Sequence, residues 1–153
     1  MLDVFLKEEP WLLLATTLGL IAVLALIIRL RRQQLSTRAT ITSALNLFFG
    51  LWIGIMGAGH LFAVTSKSLL GTLPPNIHLW IAIPFGFAIA VPGWWLVASL
   101  RALARQENPA RKRAMALNGW LGLVLVIPAV PLVVLPAVNL ALLAWQGKEK
   151  GNK

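Results

Sequence analysis

The two histidines are the residues in this chain best suited to chemistry. His60 and His78 stand eighteen positions apart and flank one short loop between apolar stretches. Both should therefore lie near the same end of their helices. Imidazole changes charge near neutral pH and, when neutral, ligates metals. Two imidazoles at similar depth suit a haem or a chlorin. One of them could instead hydrogen-bond a quinone headgroup. A closed metal site needs more ligands than this pair supplies. Ordinary packing between helices is the plainer role for both.

Little other chemistry is available. The chain has five acids, and none lies between Glu9 and Glu107. There is no Cys and no Tyr, which removes thiolate ligands, disulfides and a phenolic acid. No phosphate-binding loop, H-E-x-x-H or G-x-S-x-G pattern occurs. Ser43, Ser66, Ser68 and Ser99 lack a Ser–His–acid setting. In size the chain resembles the four-helix small multidrug transporters. That resemblance implies a carboxylate in the first helix, and the first apolar stretch here has none. The expectation is a protein that is not an enzyme.

The histidines depend on their helices for position. His60 closes a polar and small-residue face. At 100° per residue, Ser43, Asn46, Gly50, Gly54, Gly57 and His60 share an arc of roughly 100°. Gly50 and Gly54 form G-x-x-x-G, which lets another backbone approach closely. Asn46, Gly50, Gly54 and Gly57 are thus candidates for helix packing, and the same flat face could admit a planar ligand. His78, Ala82, Gly86 and Gly93 share a face of the next stretch, where Pro84 and Pro92 predict a bend. Ala15 and Gly19, and Asn118, Gly119, Gly122 and Asn139, mark association-competent patches elsewhere.

The stretches themselves define the class. The 153 residues are 58% hydrophobic and only 12% charged, about half the charged share of a soluble domain. Four apolar runs are near or above the ~20 residues needed to span a bilayer. They cover about 11–28, 41–65, 77–100 and 115–145. The expected fold is an all-α integral membrane protein. It is a single domain, a bundle of four transmembrane helices with the third and fourth kinked. The start of the chain is acidic and the first run ends in arginines, so it reads as a retained anchor. The last run would make ~46 Å of helix, against a ~30 Å hydrocarbon core. A tilted, kinked single span accommodates it. A re-entrant pair of half-helices is the rival and would move the lysine tail to the other side.

Charge sets orientation. The net charge is +9, and its arginines cluster in two places. Arg29, Arg31, Arg32 and Arg38 follow the first run; Arg101, Arg105, Arg111, Lys112 and Arg113 follow the third. The positive-inside rule places both clusters in the cytoplasm and, with four spans, both termini outside. Arg29, Arg31, Arg32, Arg111, Lys112 and Arg113 are then expected to meet anionic lipid headgroups, with no role for nucleic acid. Trp11, Trp80 and Trp145 should mark the outer interface and Trp120 the inner one.

The expected function is that of an accessory or assembly subunit packed within a larger membrane complex. The setting is the bacterial inner membrane, crossed several times. A membrane anchor holding haem, chlorin or quinone at His60 and His78 is the alternative. A carrier of lipid or a small hydrophobe is the third.

Overall fold

The structure is a computed structural model that describes residues 10–33, 36–75, 77–105, 107–126 and 133–150. These residues form six helices and no strand. They are α1 (Pro10–Arg32), α2 (Thr37–Leu69), α3 (Leu79–Ala98), α4 (Leu100–Ala104), α5 (Asn108–Val126) and α6 (Val134–Lys150). Three of them, α1, α2 and α3, are long and apolar enough to cross a membrane.

α1 starts at Pro10, whose missing N–H costs nothing in a first turn. Arg29, Arg31 and Arg32 occupy its last turn, where positive charge complements the helix dipole. α2 is 33 residues long, well beyond the expected 41–65. Its extra length comes from polar end signals that hydropathy does not register. Ser36 caps the start, its Oγ accepting from Ala39 N–H at 3.2 Å. At the other end Gly71 adopts a φ of 67°, which a side chain would disfavour. Thr72 N–H then donates to Lys67 O at 2.9 Å and Gly71 N–H to Ser68 O at 3.2 Å. This pair of bonds satisfies carbonyls the helix end would leave free.

α3 runs unbroken through Pro84 and Pro92. Each proline removes the donor for the carbonyl four residues earlier. For Pro92 that carbonyl belongs to Ala88, and the indole Nε1–H of Trp120 donates to it at 3.0 Å. Trp120 therefore closes a gap in the middle of α3, in addition to exposing about half its surface. Ser99 turns the chain into α4, which buries Leu103 and Ala104.

The fourth apolar run is not one helix. The described residues divide it into α5 and α6, and residues 127–132, with Pro128 and Pro131, lie outside them. Pro136 falls in the first turn of α6, where no N–H is needed. α5 and α6 pack as an antiparallel pair. Asn118 meets Asn139, and Gly122 faces Pro136. Arg111, Lys112 and Arg113, expected in a loop, sit in the opening turns of α5.

α2 is the central element. α1, α3, α4 and α6 all pack on it, and α5 packs on α3 and α6. Phe49, Ile53, Leu96, Leu103, Leu121 and Leu143 form the deepest part of the core. The return of α6 reverses one expectation about the ends. Trp145 was assigned to the same interface as Trp11, but the Arg38 guanidinium lies 3.9 Å from its ring centroid. The end of α6 is thus at the arginine-bearing end, whereas α1 begins at the far end. The first and last described helices thus begin and end at opposite ends of the bundle.

Candidate functional site

The glycine face of α2 is spent on α3. A Cβ at Gly57 would stand 2.7 Å from Ala90 N and 2.8 Å from Ala90 Cα. One at Gly50 would meet Gly93 O at 2.9 Å, and one at Gly93 would meet Gly54 N at 2.6 Å. Gly54 faces the Trp94 ring, 3.2 Å from where its Cβ would be. The two backbones approach so closely that any side chain at Gly57 or Gly93 must part them. Gly50, Gly54 and Gly57 are therefore helix-packing residues within the chain.

Asn46 belongs to a different contact. It is fully buried and bonds across the bundle to Asn118, whose Nδ2 donates to Asn46 Oδ1 at 3.0 Å. Asn139 Nδ2 donates in turn to Asn118 Oδ1 at 3.1 Å. Asn46 Nδ2 bonds Thr42 O at 2.8 Å, and Asn118 Nδ2 also reaches Ala114 O at 2.8 Å. Three amides from α2, α5 and α6 thus form one continuous buried chain of hydrogen bonds. In the sequence these asparagines fall in separate stretches. One signal could have joined them: they are the only side-chain amides inside the four apolar runs.

The histidines do come together. His60, Ile77, His78, Ile81, Ala82 and Phe85 line one shallow cavity of about 230 Å³. α2 supplies His60 nine residues before its last turn closes; α3 and the residues just before it supply the rest. His60 is half-buried and its Nε2 lies 3.1 Å from the Ala82 carbonyl oxygen. Phe85 meets the imidazole edge to face, with centroids 5.7 Å apart. Gly86 backs the ring: a Cβ there would be 3.2 Å from His60 Cδ2. His78 is exposed at the N-cap of α3, makes no side-chain capping bond, and lies 6.1 Å from the Trp80 ring. Pockets that enclose a drug-sized ligand occupy about 300–1,000 Å³. This one matches a single ring or headgroup and is too small to enclose a macrocycle. No group of three or more His, Cys, Asp or Glu that could hold a metal occurs among the described residues.

The arginines gather at the opposite end. Arg29, Arg31, Arg32, Lys112 and Arg113 are exposed, and Arg111 is half-buried. The Arg111 Nε is enclosed and has no hydrogen-bond partner among the described residues. The end of α1, the starts of α2 and α5, and α4 bring these charges together through their alternating directions. Comparison with protein-family models, with curated proteins and with solved structures returns no match.

Proposed function

We propose that the chain is a non-catalytic, multi-pass protein of the bacterial inner membrane that serves as an accessory or assembly subunit of a larger complex. Its arginine-bearing end lies in the cytoplasm against anionic headgroups, with the N-terminus outside and the C-terminus inside. The observation that carries this reading is the neutrality of the interior. The buried polar residues described are Thr42, Ser43, Asn46, Asn118 and Asn139. None of them titrates, and the three asparagines are bonded to one another. Transport coupled to protons requires an ionisable group inside the span, and acid–base catalysis requires one in reach of a substrate. A bundle whose fully buried polar residues are neutral, with His60 only half-buried, suits holding a position between other helices.

α1 supports the same reading. It rests on α2 through Ala15, Gly19 and Leu30 and exposes Leu13, Leu20, Ile21 and Leu24. Only 11% of its most apolar window is buried. The test is site-specific photo-crosslinking in membranes. A photoreactive residue at Ile21 or Leu24 should give a discrete adduct with another membrane protein. The same residue at Phe87 or Val91, exposed on α3, should not. Adduct-free α1 positions, together with a lone monomer after mild-detergent purification, would refute the proposal.

A further inference from the structure

The cavity at the histidine end has a hydrogen-bond polarity that selects its ligand. A carbonyl oxygen only accepts, so the bond to Ala82 O puts the proton of a neutral His60 on Nε2. Nδ1 is then left with a free lone pair. No hydrogen bond to Nδ1 occurs among the described residues, and it is not among the buried atoms that lack a partner. It is therefore reachable from outside. Cδ2 faces the Gly86 backbone, which leaves Nδ1 and Cε1 as the opposite edge of the ring.

The rest of the cavity is apolar and aromatic. Phe85 stands edge-on to His60, and Ala82 leaves room where a larger side chain would intrude. Ile77 and Ile81 line it and are themselves exposed, Ile81 by half. On a membrane-spanning α3 Ile81 faces lipid, with Ile77 just before the helix, so an apolar tail could continue along them. A volume of about 230 Å³ exceeds the ~150 Å³ cavity that takes up benzene. It accommodates one substituted six-membered ring.

We propose that this cavity binds the hydroxyl-bearing ring of a membrane-dissolved amphiphile, of which a hydroquinone is the type. The ring hydroxyl donates to His60 Nδ1, the ring packs against Phe85, and the tail leaves past Ile81. His78, exposed beside the same cavity, offers a second polar group. The matching quinone has only acceptors and finds no donor at His60 unless it displaces the Ala82 carbonyl. This inference uses the membrane reading of α2 and α3 and is independent of any partner subunit.

The test uses the full chain in lipid nanodiscs with a decyl-tailed hydroquinone, and the same compound as the quinone. Equilibrium dialysis should show the hydroquinone bound about two- to tenfold tighter, the value of one net hydrogen bond. His60→Leu should abolish that preference, and Ala82→Phe should weaken both forms by filling the cavity. Because there are only two histidines, ¹⁵N NMR of the imidazoles gives a second readout that needs no variant. The Nδ1 signal of His60 should move with hydroquinone and stay with quinone. Equal affinity for the two forms, a preference that survives His60→Leu, or an unmoved Nδ1 signal would overturn the proposal. Binding undiminished by Ala82→Phe would place the ligand elsewhere and overturn it equally.

Discussion

Adding one methyl group at Gly57 should loosen the bundle more than any comparable change on its surface. In Gly57→Ala the new Cβ would sit 2.7–2.8 Å from the N, Cα and Cβ of Ala90. Carbon atoms in ordinary contact stand about 3.5–4.0 Å apart. The obstacle is mostly backbone, so no rotamer can clear it, and α2 and α3 must separate by roughly 1 Å at this level. Overpacking of this kind costs about 1–3 kcal/mol. Alanine returns about 0.5–1 kcal/mol through its better helix propensity, leaving a net loss of about 1–2 kcal/mol. Gly119 is the internal control, because a Cβ there meets nothing within 4 Å. Gly119→Ala should gain the propensity term alone. The two variants should then differ by about 2 kcal/mol, or about 4–8 °C in midpoint for a chain of this size. Gly54→Ala should fall between them, since its obstacle is the half-exposed Trp94 ring, which can move. The assay is far-UV circular dichroism during heating in one mild detergent at one scan rate. Midpoints for Gly57→Ala and Gly119→Ala within 1 °C of each other would refute the reasoning about the α2–α3 seam.

The asparagine chain predicts non-additivity. Asn118→Ala should destabilise by about 1–2 kcal/mol, since it strands both Asn46 Oδ1 and Asn139 Nδ2. Asn46→Ala in that background should then cost clearly less than alone, and strict additivity of the two midpoints would argue against a shared network. Trp120→Phe keeps the ring but frees the Ala88 carbonyl, and should lower the midpoint by a few degrees in the same assay. In a Pro92→Ala background, where an N–H is restored to α3, most of that loss should vanish; an undiminished loss would mean that packing, not the carbonyl, is what Trp120 serves. The absence of cysteine makes topology directly testable. Cysteines placed at Gln33 and after Lys153 should react with an impermeant thiol reagent from the same side of the membrane, and one at Pro75 from the other. Labelling of the C-terminal cysteine together with Pro75→Cys would contradict the return of α6 to the arginine end.

The helical class and three apolar spans followed from hydropathy, because each span is a single unbroken run with polar ends. Gly50, Gly54 and Gly57 recur at helical spacing and so mark a face for close approach, but nothing in that spacing names α3 as what packs there. The nearness of the two histidines, which line one cavity, is in keeping with the short loop between them. What escaped was anything decided by contact over long separations. Nothing in the sequence near Trp120 names Ala88, thirty-two residues away, as its acceptor; the link passes through Pro92, which frees the carbonyl four residues before it. The ends of α2 escaped for a local reason: Ser36 and Gly71 act through hydrogen bonds and a positive φ, which hydropathy does not weigh. The last run was misjudged because its length alone admitted both one bent helix and two helices. The positive charge of the tail already favoured two.

The way α5 and α6 attach explains why so much polar bonding is concentrated in this bundle. In water, their apolar faces would be driven onto α2 and α3 by burial. In lipid that drive is absent, since the surrounding chains are as apolar as leucine. The α5–α6 hairpin is then held by close packing and by bonds that lipid cannot replace. Its known attachments fit this requirement. Asn118 and Asn139 reach Asn46, Trp120 caps the carbonyl that Pro92 leaves free, and Trp145 meets Arg38. Measured bonds of this kind in membranes average only ~0.6 kcal/mol each. Three or four of them together still favour the docked hairpin by about 2 kcal/mol. They also fix its register, because displacement by one turn would part the three amides. The polar residues of the interior therefore act chiefly as addresses for the hairpin. His60 stands apart from that network: its ring keeps a reachable edge with no hydrogen bond among the described residues.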